Sequence, residues 1–292
     1  MDNEQILIPS TQQKSWGWPA ALNFILGGAG AGGYLFFTLS HIVVGSHGMD
    51  GANVRIFINF VMPALVCLGF LALTLEAGRP QNILFLLSGI RTSWISRESL
   101  AFVTFIVTAV MSGFFPGYFW QNLAMISALT LLICQGFVLS KSRGIPAWNL
   151  GIMPVLVLSS GLSSGAGFIM ILWSISGAFL TTSGFILAII VALINAAFWL
   201  FYLMRSKDSE FLKTTHNLRQ SPSLAAMIVI GHLVPVLLLM LFLINSGTGI
   251  DQEGRWFLMG TSGVLLLASS TWQKFGIIFS SGCHQEIRFI TV

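Results

Sequence analysis

Long apolar runs separated by short polar breaks dominate this chain. A helix that crosses a bilayer needs roughly 20 mainly apolar residues. By that measure the pattern predicts eight spans: residues 19–45, 54–76, 98–115, 118–140, 148–173, 177–204, 222–245 and 255–279. The breaks at Phe114-Phe115-Pro116-Gly117 and at Ser174–Gly177 are short, so the helices on either side should be antiparallel neighbours. The expected fold class is an all-α integral membrane protein.

Two glycine-rich stretches add an internal relationship. Gly28-Ala-Gly-Ala-Gly32-Gly33 lies in the first predicted span and Gly161-Leu-Ser-Ser-Gly165-Ala-Gly167 in the fifth. Small residues four apart let helix backbones approach closely. Four spans separate the two stretches, so both helices run in the same direction. The expectation is two four-helix bundles related as parallel repeats. They would cover residues 19–140 and 148–279, with a linker at 141–147, an N-terminal segment at 1–18 and a tail at 280–292. Ordinary helix packing would produce the same spacing.

Composition supports the membrane assignment. Of 292 residues, 55% are hydrophobic and 8% charged, where soluble proteins carry about 25% charged residues. With eight spans both termini share one side. That side holds Lys14, Arg79, Arg91, Arg97, Lys141, Arg143, Arg205, Lys207, Lys213, Arg219, Lys274 and Arg288, against Arg55 and Arg255 on the other. The positive-inside rule makes the basic side, and both termini, cytoplasmic in a bacterial or archaeal membrane. A basic face also suits docking of an acidic partner. Trp16, Trp18, Trp120, Trp148, Trp173, Trp256 and Trp272 fall near predicted helix ends, as an aromatic belt would place them. Nothing points to nucleic acid.

Function in a membrane protein sits on its intramembrane polar groups, and here they are few. No acidic residue occurs between Glu98 and Asp208, and no carboxylate falls in the middle of a span. That disfavours a pump or ion-coupled transporter. Cys67, Cys134 and Cys283 are far apart, too few for an iron–sulfur cluster or structural zinc. A haem held by two histidines needs them at similar depth. His41 and His232 differ in depth by roughly 15 Å at the helical rise. His232 reads as a hydrogen-bonded interhelical histidine. No haem and no iron–sulfur cluster is therefore expected in this chain.

The cytoplasmic ends are richer. Trp18 and Asn23 open the first span, Glu76 and Arg79 end the second, and Trp94, Arg97 and Glu98 open the third. Cys134 and Gln135 lie near the end of the fourth, with Asn149, Ser159 and Ser160 in the fifth. Carboxylates, an amide, an arginine and indoles under one membrane face suit a quinone, whose reduction needs two protons. Glu76 and Glu98 are the acids placed to supply them. Each carboxylate could equally be no more than the partner of a nearby arginine.

Four stretches together resemble the NrfD-like, polysulfide-reductase-type membrane subunits of molybdenum or tungsten respiratory complexes. They are WGWPAALNFILGGAGAGG at 16–33, EAGRP at 76–80, SWISRE at 93–98 and SGLSSG at 160–165. The resemblance implies a chain without a metal centre of its own. It would anchor a ferredoxin-like, four-cluster iron–sulfur subunit and a molybdopterin catalytic subunit, and bind menaquinone or ubiquinone. Asn23 becomes a candidate contact to the quinone head. Trp18, Gly28, Arg79 and Arg97 join it at the site or docking face, and Glu76 and Glu98 handle protons. Many relatives carry a tyrosine two residues before a glycine near the end of the fourth helix. Here Cys134 stands there before Gly136, with Gln135 a possible substitute. A small-solute transporter, or an anchor without a working quinone site, remains the alternative.

Overall fold

A computed structural model describes residues 4–44, 52–76, 89–205, 208–244, 252–285 and 287–290. The long helices are α1 (Trp18–Val44), α2 (Ala52–Glu76), α3 (Trp94–Phe114), α4 (Tyr118–Ser140), α5 (Met153–Ser176) and α6 (Thr182–Arg205). Two short helices follow, α7 (Ser209–Thr214) and α8 (His216–Arg219). Then α9 (Ser221–Ile228) runs through a π turn at Val229–Leu233 into α10 (Val234–Ile244). Last comes α11 (Gln252–Phe275), prolonged by a second π turn at Gly276–Ser280. Among the described residues seven helices are long and apolar enough to cross a membrane, so this is a multi-pass membrane protein. Helix α11 matches the last expected span in position, but its greater polarity keeps it out of those seven.

Several boundaries differ from the hydrophobic pattern. Helix α3 begins at Trp94, capped by the Ser93 hydroxyl, which accepts from the Ser96 amide. Glu98 therefore sits a full turn inside the helix rather than at its mouth. Helix α5 begins at Met153, not at 148, because Pro154 occupies a first-turn position, where its missing N–H costs nothing. Trp148 lies in the preceding turns, 1% exposed, and its Nε1 donates to the Ile277 carbonyl at 2.7 Å. It is a core residue, not part of an aromatic belt, because its polar edge finds a partner inside the protein. Glu253 lies in the first turn of α11.

The all-α expectation holds for the bundle, and a short two-stranded strap joins the terminal segments. Strand β1 (Glu4–Ile8) pairs antiparallel with β2 (Ile287–Ile290), and Gln12 bridges Cys283. The two terminal segments thus strap one end of the bundle. Backbone bonds from His284 to Thr11 and from Gln285 to Gly144 fasten them over the α4–α5 turn.

The glycine stretches meet in space. A Cβ at Gly32 would run into the Gly161 carbonyl, and one at Gly165 into the Gly32–Gly33 backbone. Because 28 and 32 lie against 161, and 33 against 165, α1 and α5 run parallel. Gly167 and Gly263 make a similar approach between α5 and α11. Missing side chains let these three helices pack backbone to backbone. One apolar core runs along the helices around Phe36, Phe105 and Met170. A second gathers Phe24, Trp148, Trp199, Tyr202 and Phe211, under the strapped end.

Candidate functional site

A cavity of about 320 Å³ lies between the start of α1, the end of α2 and the start of α3. Phe24, Phe70, Leu73, Ile95 and Val138 make its wall apolar, and Trp16, Ser15 and Thr74 complete it. Asn23 and Glu98 supply its polar end. Volume and lining match small-molecule sites, which are mainly apolar with a few placed polar groups. Ile95 is 40% exposed at the rim while Glu98 is 2% exposed, so the cavity leads from the protein's outside to a buried carboxyl.

Asn23 Nδ2 donates to Glu98 Oε1 at 2.9 Å. Gln135 Nε2 donates to the Asn23 carbonyl at 3.4 Å, and the Gln135 side chain also hydrogen-bonds Glu98. Gln135 Oε1 is buried without a hydrogen-bond partner. Three helices, α1, α3 and α4, thus converge on one carboxyl through two amide side chains. Gly27 makes room for this: a Cβ there would sit 2.6 Å from Gln135 Nε2. Among the described residues no cation forms an ion pair with Glu98; the pair recorded there is Lys213–Glu210. A carboxyl held by neutral amides can hold or release a proton without breaking an ion pair.

The other residues singled out in the sequence are placed as follows. The Arg97 guanidinium donates to the Ile90 and Arg91 carbonyls, both at 2.9 Å, and lies 4.3 Å over the Trp94 ring. It fastens the turn ahead of α3 rather than facing the carboxyl. Cys134 is buried beside Gln135 on α4. Trp18 is 60% exposed and packs against Phe275 and Phe279 of the α11 end, away from Glu98. Gly28 lies against Lys274 and Gly161 in the helix seam, not in the cavity wall. Glu76 ends α2 two residues after Thr74, but its side chain lies outside the described residues, as does all of Arg79.

A second polar cluster joins α5, α6, the π turn and α11. His232 Nδ1 lies 2.9 Å from the Met227 carbonyl. A carbonyl only accepts, so Nδ1 carries the proton and Nε2 is the acceptor. Asn195 Nδ2 and Gln273 Nε2 approach Nε2 at 3.1 and 3.3 Å. Asn195 also donates to Gln273 Oε1 at 3.1 Å and accepts from Ser159 Oγ at 3.2 Å. The histidine is an interhelical crosslink. No metal-binding group of three or more histidine, cysteine or acidic side chains occurs among the described residues.

Sequence reasoning missed the apolar wall of the cavity and the burial of Lys274. Phe24, Phe70 and Val138 look like any core residue in a sequence this apolar. Lys274 did leave a signal, since the last predicted span, 255–279, encloses it.

The rim-accessible apolar cavity, closed by a buried carboxyl and amides, has the form of a candidate site for an amphiphilic ligand. The class narrows by comparison. The family model described as "Polysulphide reductase, NrfD" matches residues 7–282, nearly the whole chain, and the chain belongs to the NrfD family. That makes it a membrane subunit of the polysulfide-reductase and molybdoenzyme type of oxidoreductase complex. No curated protein matches the sequence.

Proposed function

We propose that this chain is the quinone-binding membrane anchor of a molybdenum or tungsten oxidoreductase, exchanging electrons between an iron–sulfur subunit and the membrane quinone pool. The observation that carries the reading is the cavity that begins at Ile95 and ends on Asn23 and Glu98. Its apolar wall suits the ring and the first isoprene units. Asn23 lines the polar end, where it holds Glu98 for a quinone oxygen, and Glu98 exchanges the proton there. Glu76, closing α2 near the same cavity, is the second candidate acid, and Gln135 fixes the carboxyl where relatives use tyrosine. Arg79, Arg97 and Trp18 belong to the docking face. The quinone supplies the two-electron chemistry; this chain supplies binding, a proton and the exclusion of water.

The topology that fits this role has eight spans, α11 being the last, in two parallel-related bundles at 19–140 and 148–279. Both termini and the iron–sulfur and molybdopterin partners then face the cytoplasm, because the basic side chains gather there. Protons and electrons enter from one side, so turnover is electroneutral.

Mild-detergent purification from cells that express the whole complex, followed by native mass spectrometry and metal analysis, tests the reading. The expected result is co-purifying subunits carrying iron and molybdenum or tungsten, and quinone turnover that Asn23→Ala abolishes without loss of assembly. A metal-free, partnerless chain whose stability responds to a small solute would replace this reading with a transporter.

A further inference from the structure

Lys274 is the one cation sunk in the helix bundle among the described residues, 3% exposed near the end of α11. Its Nζ donates to Ser164 Oγ at 3.2 Å. That is its one side-chain partner there, although an ammonium carries three donors. Beside it lies a cavity of about 10 Å³ lined by Lys274, Ser160 and Gln273 with apolar neighbours. The Nζ also lies against Gly28, where any Cβ would collide with it.

Its neighbour along α1 is the decisive contact. Gly27 lies against the Gln135 amide and Gly28 against the Lys274 amine. Two successive glycines thus set the Gln135 amide and the Lys274 amine against adjoining stretches of α1 backbone, with no α1 side chain at either position. Gln135 Oε1 is a buried acceptor without a donor. Lys274 is an amine with donors to spare. Ser163 Oγ on α5 and Ser270 Oγ, one turn before Lys274 on α11, are likewise buried without partners. The Asn195–His232 cluster has no such surplus, because each of its described polar atoms is matched.

We propose that Lys274 is a proton-holding site that refills Glu98 through hydrogen bonds over the Gly27–Gly28 surface. The proposal rests on the quinone reading. Reduction to quinol consumes two electrons, from the iron–sulfur partner, and two protons. Glu98 delivers the protons one at a time, and Lys274 returns one to Glu98 after each. Lys274 is recharged from the aqueous face at the end of α11, and oxidation of quinol runs the same path backwards. The packed elements bring no competing charge: α1, α4 and α5 carry no lysine, arginine, aspartate or glutamate at this level. The titratable groups in the neighbouring clusters are Glu98 and Cys134 beside Gln135, and His232 bonded to Gln273.

Lys274 is then a positioning residue for protons rather than a quinone contact, and its variants should separate rate from binding. The purified whole complex would be assayed for quinone reduction with a soluble decyl-quinone, and for decyl-quinone binding, across pH. Lys274→Met should leave binding and assembly unchanged. Its kcat should fall on the order of a hundredfold, the lower range for loss of a placed proton donor. The native complex should lose kcat as rising pH deprotonates the relay, and Lys274→Met should move the midpoint of that decline. Ser164→Ala, which keeps the amine and removes its hydroxyl partner, should move the midpoint of that decline without erasing it. An unchanged kcat and pH profile in Lys274→Met would overturn the proposal and leave the quinone reading standing. If Lys274→Met fails to assemble, an unmoved midpoint in Ser164→Ala overturns it. A native complex that neither binds nor reduces decyl-quinone would overturn the quinone reading and this proposal with it.

Discussion

Two buried polar clusters lie in the helix bundle, and they differ in how completely their hydrogen bonds close. Around His232 every described polar atom has a partner: Nδ1 gives to Met227, Nε2 takes from Asn195 and Gln273, and Ser159 completes the ring. The cavity of about 230 Å³ beside Met227 and Gly231 is not lined by His232, Asn195 or Gln273. Around Glu98 the bonds stop short. Gln135 Oε1 has no donor, and the carboxyl faces a cavity of about 320 Å³. In a low-dielectric interior a fully matched network locks helices together, and an unmatched group is costly unless something else meets it. The first arrangement is a fastener. The second is the candidate site.

The glycine seam between the two clusters offers the largest effect. Gly165→Val drives a branched side chain into the Gly32–Gly33 backbone. Neither neighbour can yield, so no folded complex should be recovered by size-exclusion chromatography in mild detergent. Recovery of normal complex would mean that the seam is not rigid and that the two clusters are not held in fixed relation.

Glu98→Gln tests the site directly. The amide preserves shape and an acceptor for Asn23 but has no carboxyl proton to give. Quinone turnover by the assembled complex should drop about 10²- to 10³-fold, with the melting temperature nearly unchanged. Asn195→Leu should do the reverse. It strands Gln273 Oε1 and takes one of two partners from His232 Nε2 and from Ser159, and an orphaned buried group costs about 1–3 kcal/mol. Thermal unfolding should show a loss of about 2–3 kcal/mol, while quinone affinity stays within about twofold of the native value. If Asn195→Leu abolished turnover in stable complex, the fastener would be a functional group after all.

The smallest effect belongs to Arg97. Arg97→Ala releases two carbonyl contacts and the Trp94 stack, about 1–3 kcal/mol of local order at a half-buried position. Hydrogen exchange of residues 89–93 should quicken, with quinone turnover in the assembled complex falling little. A loss as large as that of Glu98→Gln would place Arg97 at the carboxyl rather than in the turn. Generation of a membrane potential by the complex in vesicles would separately refute electroneutral turnover.

The apolar runs alone carried the membrane assignment and the place of the long helices, because bilayer thickness fixes span length and lipid excludes charge. Four short motifs carried the family. Glycine spacing pointed to close packing on α1 and α5, since a missing Cβ acts wherever two backbones approach. Helix starts were less legible. Hydropathy does not see the Ser93 cap or Pro154, and those moved Glu98 inward and left Trp148 in the core.

Tertiary structure decided the rest. Asn23, Glu98 and Gln135 are far apart in the chain, and their meeting depends on how α1, α3 and α4 pack. Arg97 and Glu98 are neighbours in sequence, yet one side chain turns to the connector and the other into the bundle. Helical geometry sends successive side chains about 100° apart, so adjacency in sequence did not make them an ion pair. Lys274 read as one more cytoplasmic cation because it stands near a helix end. Only the fold put its amine against Gly28, under Ser164, where charge is scarce.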